Sequence, residues 1–265
     1  MSRYDAMFGR LRSSGEGALG AFLMLGDPDV TTSAHLLDAA VAGGADMIEV
    51  GIPYSDPVAD GPVIQAAAQR ALRSGARVDD SFALIRGLRA RHADVPIGIL
   101  TYANLLAARG RERFMRDAAE AGADSVLVAD VPSLEAEPYS AAAAAEGLDL
   151  VMIAAPNTPE TVVDRIARLS GGYTYCVARA GVTGATETLA LDHDRLFAAL
   201  TEAGAPPPVV GFGISTPWHV RQALAAGAAG VIVGSAIVRL IEQGEDAELA
   251  ISRFVSELKA ATAPA

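Results

Sequence analysis

The chain has 265 residues, a formal charge of −11 and a hydrophobic fraction of 51%. The acidic balance and the lack of a basic stripe argue against a nucleic-acid surface, although backbone N–H groups can still hold a small phosphorylated ligand. A single cysteine, Cys176, excludes a disulfide framework and is typical of a reducing compartment. The N-terminus lacks the apolar stretch of a signal peptide and no apolar run is long enough to span a bilayer, so we expect a cytoplasmic protein.

Helices and short apolar runs alternate along the chain. Helical spacing of apolar residues predicts a short amphipathic helix at the N-terminus, formed around Tyr4, Met7, Phe8 and Leu11. The apolar runs that follow predict eight strands, near 18–25, 47–51, 96–101, 125–129, 149–153, 173–177, 208–212 and 230–234. The longer segments between and after them predict helices near 32–43, 62–73, 80–91, 111–121, 134–146, 159–168, 193–203, 217–226, 235–242 and 246–260.

The predicted strands are almost continuously apolar, as expected for parallel strands that are covered on both faces. Three stretches, "AVAGGADMIEVG", "AAEAGADSVLVAD" and "ALAAGAAGVIVG", repeat the passage from a helix through glycine into a strand. Eight such units fit a closed (β/α)8 TIM barrel better than an open sheet. Because no linker divides the chain, we expect one α/β barrel domain over 1–265, with extra helices at both ends.

One carboxylate lies in the second predicted strand and another follows it closely. Glu49 lies within the apolar run "DMIEVG", where a buried carboxylate is costly unless it is paired or protonated. It is either a structural ion-pair partner or a general acid/base whose pKa is raised by burial. Asp60 precedes Gly61 and Pro62, which suit the start of a helix, so Asp60 either supports that cap or belongs to a site.

Three glycine-containing turns follow the last strands: "AGVTGAT", "GFGIST" and "VGSAIV". Gly213 permits close approach of the backbone, and Gly234 and Ser235 open a helix whose free N–H groups attract phosphate. The segment 178–192 is long for a barrel loop and is either a lid or a disordered connection. No metal-ligand spacing, nucleophile elbow or dinucleotide motif occurs, so we expect neither a metal nor a cofactor.

The stretch "MIEVGIPYSDPVADGPVIQ" resembles the signature of the tryptophan synthase α subunit family. Further segments, "AFLMLGDPD", "PIGILTYANLL", "AGADSVLVADVP", "GYTYCVARAGVTG", "GFGIS" and "AGVIVGSAIV", are similar to that family in the same order. The resemblance covers nearly the whole chain. It implies cleavage of indole-3-glycerol phosphate to indole and glyceraldehyde 3-phosphate, without a cofactor, in partnership with a tryptophan synthase β subunit in an α2β2 complex.

The resemblance also implies roles for individual residues. Glu49 matches the main acid/base, and Asp60 matches the second catalytic carboxylate. Substrate-binding positions are Phe22, Leu100, Tyr102, Ala129, Ile153, Tyr175, Thr183 (a lid residue) and Phe212. The phosphate cradle corresponds to Gly184, Gly213, Gly234 and Ser235. The surface that docks on the β subunit includes Asp56, Asn104, Asp130 and Pro132. The sequence departs from the family pattern at Ala21, Met24 and Ala107.

Three other interpretations remain open from the sequence. The chain could be a stand-alone lyase that releases free indole, because the site motifs would be the same. It could be a phosphosugar isomerase with the same barrel, which would not need an apolar indole pocket. It could also be a non-catalytic regulatory subunit, although the presence of both Glu49 and Asp60 argues against that.

Overall fold

Parallel strands alternate with helices throughout the structure, a computed structural model that describes residues 1–177, 193–211, 213–244 and 246–264. The strand segments are β1 Ala18–Met24, β2 Met47–Gly51, β3 Ile97–Thr101, β4 Ser125–Val128, β5 Asp149–Leu150, β6 Met152–Ala154, β7 Thr174–Val177, β8 Pro208–Gly211 and β9 Gly230–Val233. Every pairing between them is parallel, so their carboxyl ends meet at one face.

The strand segments close into a barrel. The order is β5-β4-β3-β2-β1-β9-β8-β7-β6, and its two ends are the two halves of one strand, separated by Val151. The first half pairs with β4 and the second with β7, while the Val151 N–H donates to the Val126 carbonyl at 2.9 Å. Eight barrel strands therefore form the ring, which confirms the predicted (β/α)8 architecture; only the fifth strand is interrupted.

Twelve α-helices occur in the described part of the chain: α1 Arg3–Ser14, α2 Val30–Ala42, α3 Pro62–Arg73, α4 Val78–Arg91, α5 Ala103–Arg109, α6 Arg111–Ala121, α7 Glu137–Ala145, α8 Glu160–Leu169, α9 Asp194–Glu202, α10 Pro217–Ala225, α11 Ser235–Gln243 and α12 Ala247–Ala260. All predicted helices are present within a few residues. The sequence pattern does not predict the short helix α5, which has only seven residues and is separated from α6 by Gly110 (φ 88°). One apolar cluster lies between the helices and the sheet, and a second fills the barrel interior.

The N-terminal helix α1 covers the end of the barrel where the strands begin. Its apolar face is buried, as its spacing predicts, and the Tyr4 hydroxyl is 2.8 Å from the Ser125 hydroxyl at the start of β4. With that end covered, the opposite face is left for a ligand, where strands end and loops follow.

Two remaining sequence features concern the environment of the protein. No helix in the described ranges is long and apolar enough to cross a membrane. Cys176 is buried in β7, and burial raises the pKa of its thiol to about 12, so the thiol stays protonated and packs as an apolar group.

Candidate active site

A cleft opens at the carboxyl ends of the strands, with about 570 Å³ of empty space when the adjoining open solvent is included. Two acidic side chains, Glu49 and Asp60, enter the cleft. Apolar side chains from three strands and one helix form much of its wall: Phe22, Leu100, Ile232 and Ile64. The arrangement gives an apolar chamber with a concentrated pair of carboxyl groups.

Glu49 projects from β2 into the barrel interior, beside Phe22 on the neighbouring strand. Its side chain is almost fully buried, and its Oε1 accepts a hydrogen bond of 2.9 Å from the Tyr173 hydroxyl. No described cation forms an ion pair with it, so among the described residues its polar contact is the Tyr173 hydroxyl rather than a salt bridge. Desolvation raises the pKa of Glu49 to about 7; the Tyr173 hydrogen bond opposes this shift and the charge of Asp60 adds to it.

Asp60 lies immediately before α3. Gly61 is the N-cap of that helix and Pro62 its first residue, and no side chain caps it, so the capping interpretation of Asp60 is wrong. The Asp60 carboxylate instead accepts a hydrogen bond of 2.8 Å from the Tyr102 hydroxyl. Desolvation raises the pKa of Asp60 to about 6, and the hydrogen bond from Tyr102 limits that rise.

The two carboxyl groups therefore have different protonation preferences. Above about pH 6 Asp60 is mainly ionised, whereas Glu49 retains its proton up to about pH 7. A group whose pKa lies near the working pH can both donate and accept protons efficiently. The cleft thus contains one acid suited to proton exchange and one suited to holding negative charge.

Tyr175 contributes a hydroxyl to the same cleft from β7. It approaches Gly211 on β8 so closely that a Cβ at position 211 would lie only 2.0 Å from its hydroxyl oxygen. Burial, with the charge of Glu49 adding to it, raises the pKa of Tyr175 well above its ordinary value. The phenol of Tyr175 therefore remains protonated near neutral pH.

The far end of the cleft is formed by the loop after β8 and the start of α11. Gly213 has a φ of 80°, a conformation that favours glycine, and Gly234 is the N-cap of α11. The first helical hydrogen bond runs from the Val238 N–H to the Gly234 carbonyl. The N–H groups of 235–237 thus have no acceptor within the helix and form a site suited to an anion.

The remaining residues that were predicted to bind substrate do not line the cleft or lie outside the described residues. Tyr102 is buried and supports Asp60. Ala129 and Ile153 are partly buried against the interior cluster but line a neighbouring groove between β4 and β6. Outside the described residues lie Thr183, Gly184, Phe212 and the whole predicted lid 178–192.

Several residues at the cleft were missed by the sequence reasoning. Tyr173 lies two positions before Tyr175, and alternate residues of a strand share a face, which is a usable signal. Arg239 lines the cleft four residues after Ser235, one helical turn along the same face. Ile64 and Ile232 also line the cleft, but no sequence signal indicates this, because it depends on how the barrel closes.

An exposed patch flanks the cleft on the loops after β2, β3 and β4. Its members include the predicted interface residues, all of them exposed: Asp56, Asn104, Asp130 and Pro132. The Asn104 amide donates to the Tyr54 hydroxyl, and the Ala103 N–H donates to the Asp130 carboxylate, each at 2.8 Å. Two large apolar side chains on these loops, Val58 and Leu134, are each 72% exposed, which suits a protein-binding surface.

Within the described ranges no group of three or more His, Cys, Asp or Glu side chains is arranged to hold a metal ion. The closed barrel and the paired carboxylates at its carboxyl-end face define a (β/α)8 enzyme, and comparison with known proteins identifies its family. A family model described as the tryptophan synthase alpha chain matches residues 8–263. The chain belongs to that family.

Individual relatives are similar to this chain over nearly their full length. The chain is 48% identical to the tryptophan synthase alpha chain of Shewanella amazonensis, covering 99% of this chain and 100% of the relative. It is 49% identical to that of Aeromonas hydrophila, with 99% of each covered. The solved Mycobacterium tuberculosis tryptophan synthase superposes with a TM-score of 0.90 at 32% identity, covering 100% of this chain and 99% of that one.

Family membership defines the reaction class. The chain is a carbon–carbon lyase of tryptophan biosynthesis that cleaves indole-3-glycerol phosphate as a tryptophan synthase α chain. The stand-alone lyase interpretation is not favoured, because the matched relatives are α chains of tryptophan synthase.

Replacing Glu49 by Gln should stabilise the fold in a pH-dependent way. The pKa of Glu49 is raised from 4.5 to about 7, so the folded state loses stability as pH rises from 4.5 through 7. Gln keeps the shape and an acceptor for Tyr173 without that cost. Denaturant unfolding should show a gain below about 1 kcal/mol at pH 5 and roughly 3 kcal/mol at pH 8. An equal difference at both pH values would contradict the assigned burial of charge.

Replacing Tyr102 by Phe should shift the pH dependence of cleavage. Loss of the Tyr102 hydrogen bond raises the pKa of Asp60 above its wild-type value of about 6, so the acid limb of kcat/KM against pH moves upward. Since the substrate phosphate titrates identically for both proteins, the difference between the profiles reports on Asp60. Tyr139→Phe is the matched control, and coincident profiles for Tyr102→Phe and wild type would refute the prediction.

Proposed function

We propose that Glu49 and Asp60 perform the retro-aldol cleavage of indole-3-glycerol phosphate within the described cleft. The observation that carries this proposal is the placement of two buried carboxyl groups, each with its own tyrosine donor, in an apolar chamber that ends at a helix N-terminus. The apolar walls suit the indole ring, and the start of α11 suits the phosphate. The substrate thereby lies with its scissile bond near the carboxyl groups.

Glu49 is proposed to move the protons. The protonated acid donates to indole C3, which becomes tetrahedral. The resulting carboxylate then accepts the proton of the hydroxyl on the adjacent glycerol carbon. As that O–H breaks, the carbonyl of the aldehyde forms, the carbon–carbon bond breaks, and its electron pair restores the aromatic indole. Glu49 ends the cycle protonated again, so its pKa of about 7 suits both steps.

Asp60 is proposed to stabilise the charged intermediate. Protonation at C3 places positive charge on the indole nitrogen, and an ionised carboxylate that accepts its N–H lowers the energy of that state. The Tyr102 hydroxyl holds the Asp60 carboxylate in place and favours its ionised form. The division of roles follows from the two pKa values: the acid with the higher pKa transfers protons, and the acid with the lower one holds charge.

Glu49→Gln should abolish cleavage, and Asp60→Asn should lower kcat by about 10²–10⁴. Indole release from indole-3-glycerol phosphate measures both. Glu120→Gln and Asp94→Asn are matched controls because both side chains are exposed and lie outside the cleft. Retention of most of the wild-type kcat by either cleft variant would remove that residue from the proposed mechanism.

The exposed patch is proposed to be the docking surface for the tryptophan synthase β subunit, the partner of α chains in this family. A chain of contacts links this patch to the site. Asn104 donates to the Tyr54 hydroxyl, the Tyr54 ring packs 5.2 Å from the Tyr102 ring, and Tyr102 holds Asp60. Docking that shifts Tyr54 would therefore alter the catalytic carboxylate. We also propose a cytoplasmic location, as suits a biosynthetic lyase with a free thiol.

The isolated chain should be a slow lyase that a β subunit accelerates at least about tenfold, equivalent to roughly 1.4 kcal/mol of coupling. Asp56→Ala should reduce this activation more than it reduces the basal rate, because Asp56 is exposed on the patch and does not line the cleft. Titration with β subunit while indole release is followed measures both quantities. A fast basal rate of indole release that does not change at saturating β subunit would reject the docking proposal.

A further inference from the structure

Arg239 is the single cation among the described residues that line the cleft. Two carboxyl groups, Glu49 and Asp60, share this cleft, and the whole chain carries a formal charge of −11. A phosphate ester, itself about doubly negative, is therefore repelled by the protein as it enters. Backbone N–H groups supply only partial positive charge, so a full cation at the cleft would contribute strongly to phosphate binding.

The helix geometry directs Arg239 toward the proposed phosphate end. Ser235 is the first residue of α11 and Arg239 lies four positions later, on the same helical face. Side chains of an α-helix lean toward its N-terminus, so the guanidinium extends back toward the free N–H groups of 235–237. The guanidinium of Arg239 and the free N–H groups of α11 are thus directed to the same part of the cleft.

Neighbouring charges leave Arg239 available for a ligand. It forms no ion pair with any described carboxylate. The nearest acid on its own helix, Glu242, is 3.8 Å from the Arg70 guanidinium. Arg70 in turn donates two hydrogen bonds of 2.8 Å to the buried carboxylate of Asp27. Arg70 thus contacts both Glu242 and Asp27, and Arg239, which is exposed, lines the cleft without an ion-pair partner among the described residues.

We propose that Arg239 binds the phosphate of the substrate and makes the cleft selective for phosphorylated over neutral indole derivatives. This inference rests on the proposed function, in which the phosphate lies at the start of α11. Arg239 acts on binding rather than on proton transfer, since it sits at the opposite end of the substrate from Glu49. Its contact is the same before and during cleavage, so its loss changes KM and leaves kcat almost unaltered.

The test compares two uncleavable ligands, indole-3-propanol phosphate and indole-3-propanol, in calorimetric titrations with wild type, Arg239→Gln, Arg239→Lys and Arg253→Gln. Arg253 is an exposed arginine on α12 outside the cleft, so its variant controls for the loss of one net charge. Arg239→Gln should weaken the phosphorylated ligand about tenfold or more and leave the neutral ligand unchanged, while Arg239→Lys retains part of the affinity. The control should resemble wild type.

Two results would overturn the assignment of Arg239. One is binding of the phosphorylated ligand to Arg239→Gln within twofold of wild type. The other is equal weakening of both ligands, which would indicate a structural role. Turnover measurements separate this inference from the proposed function. If Arg239→Gln cleaves indole-3-glycerol phosphate with the wild-type KM, only the role of Arg239 is refuted. Full activity of Glu49→Gln or Asp60→Asn, in a chain that binds phosphate through Arg239, refutes only the proposed roles of the two acids.

Discussion

Two carboxyl groups are buried in an apolar barrel without a described cation beside either. This arrangement costs free energy, because the ionised forms lose their hydration. The fold compensates only partly, with one tyrosine hydroxyl for Glu49 and another for Asp60. The remaining penalty appears as raised pKa values of about 7 and about 6. The same burial that weakens the fold thus creates an acid suited to proton transfer near neutral pH.

The barrel makes this arrangement possible by placing groups from distant parts of the chain at one face. Closure through the two halves of the fifth strand joins β4 to β7. Tyr173 can therefore reach Glu49, although 124 positions separate them in the chain. Helix α1 covers the opposite end of the barrel and buries Tyr4 against Ser125. Chemistry is thereby restricted to the end where the strands finish and loops can vary.

The cleft also has a polarity along its length. Glu49 lies on a barrel strand and Asp60 on the loop before α3, whereas the free N–H groups at the start of α11 and the Arg239 side chain line another part of the cleft. The cleft thus combines an apolar, acidic part with a part suited to an anion. On another side, Tyr102 connects Asp60 to Tyr54 and the exposed patch, so a protein bound there has a physical route to the site.

The amino-acid sequence alone was enough to predict the barrel and the N-terminal helix, and it singled out Glu49 and Asp60 as candidate site residues. Those features depend on local patterns: continuous apolar runs, helical spacing, and a carboxylate where an apolar side chain is expected. It left open whether Glu49 has an ionic partner and whether Asp60 caps α3. The folded chain supplies the described hydrogen-bond partners of both acids, because Tyr173 and Tyr102 reach them through strand closure and loop packing. Likewise, the sequence does not reveal that Arg239 lines the cleft, because the other residues that line it come from distant parts of the chain.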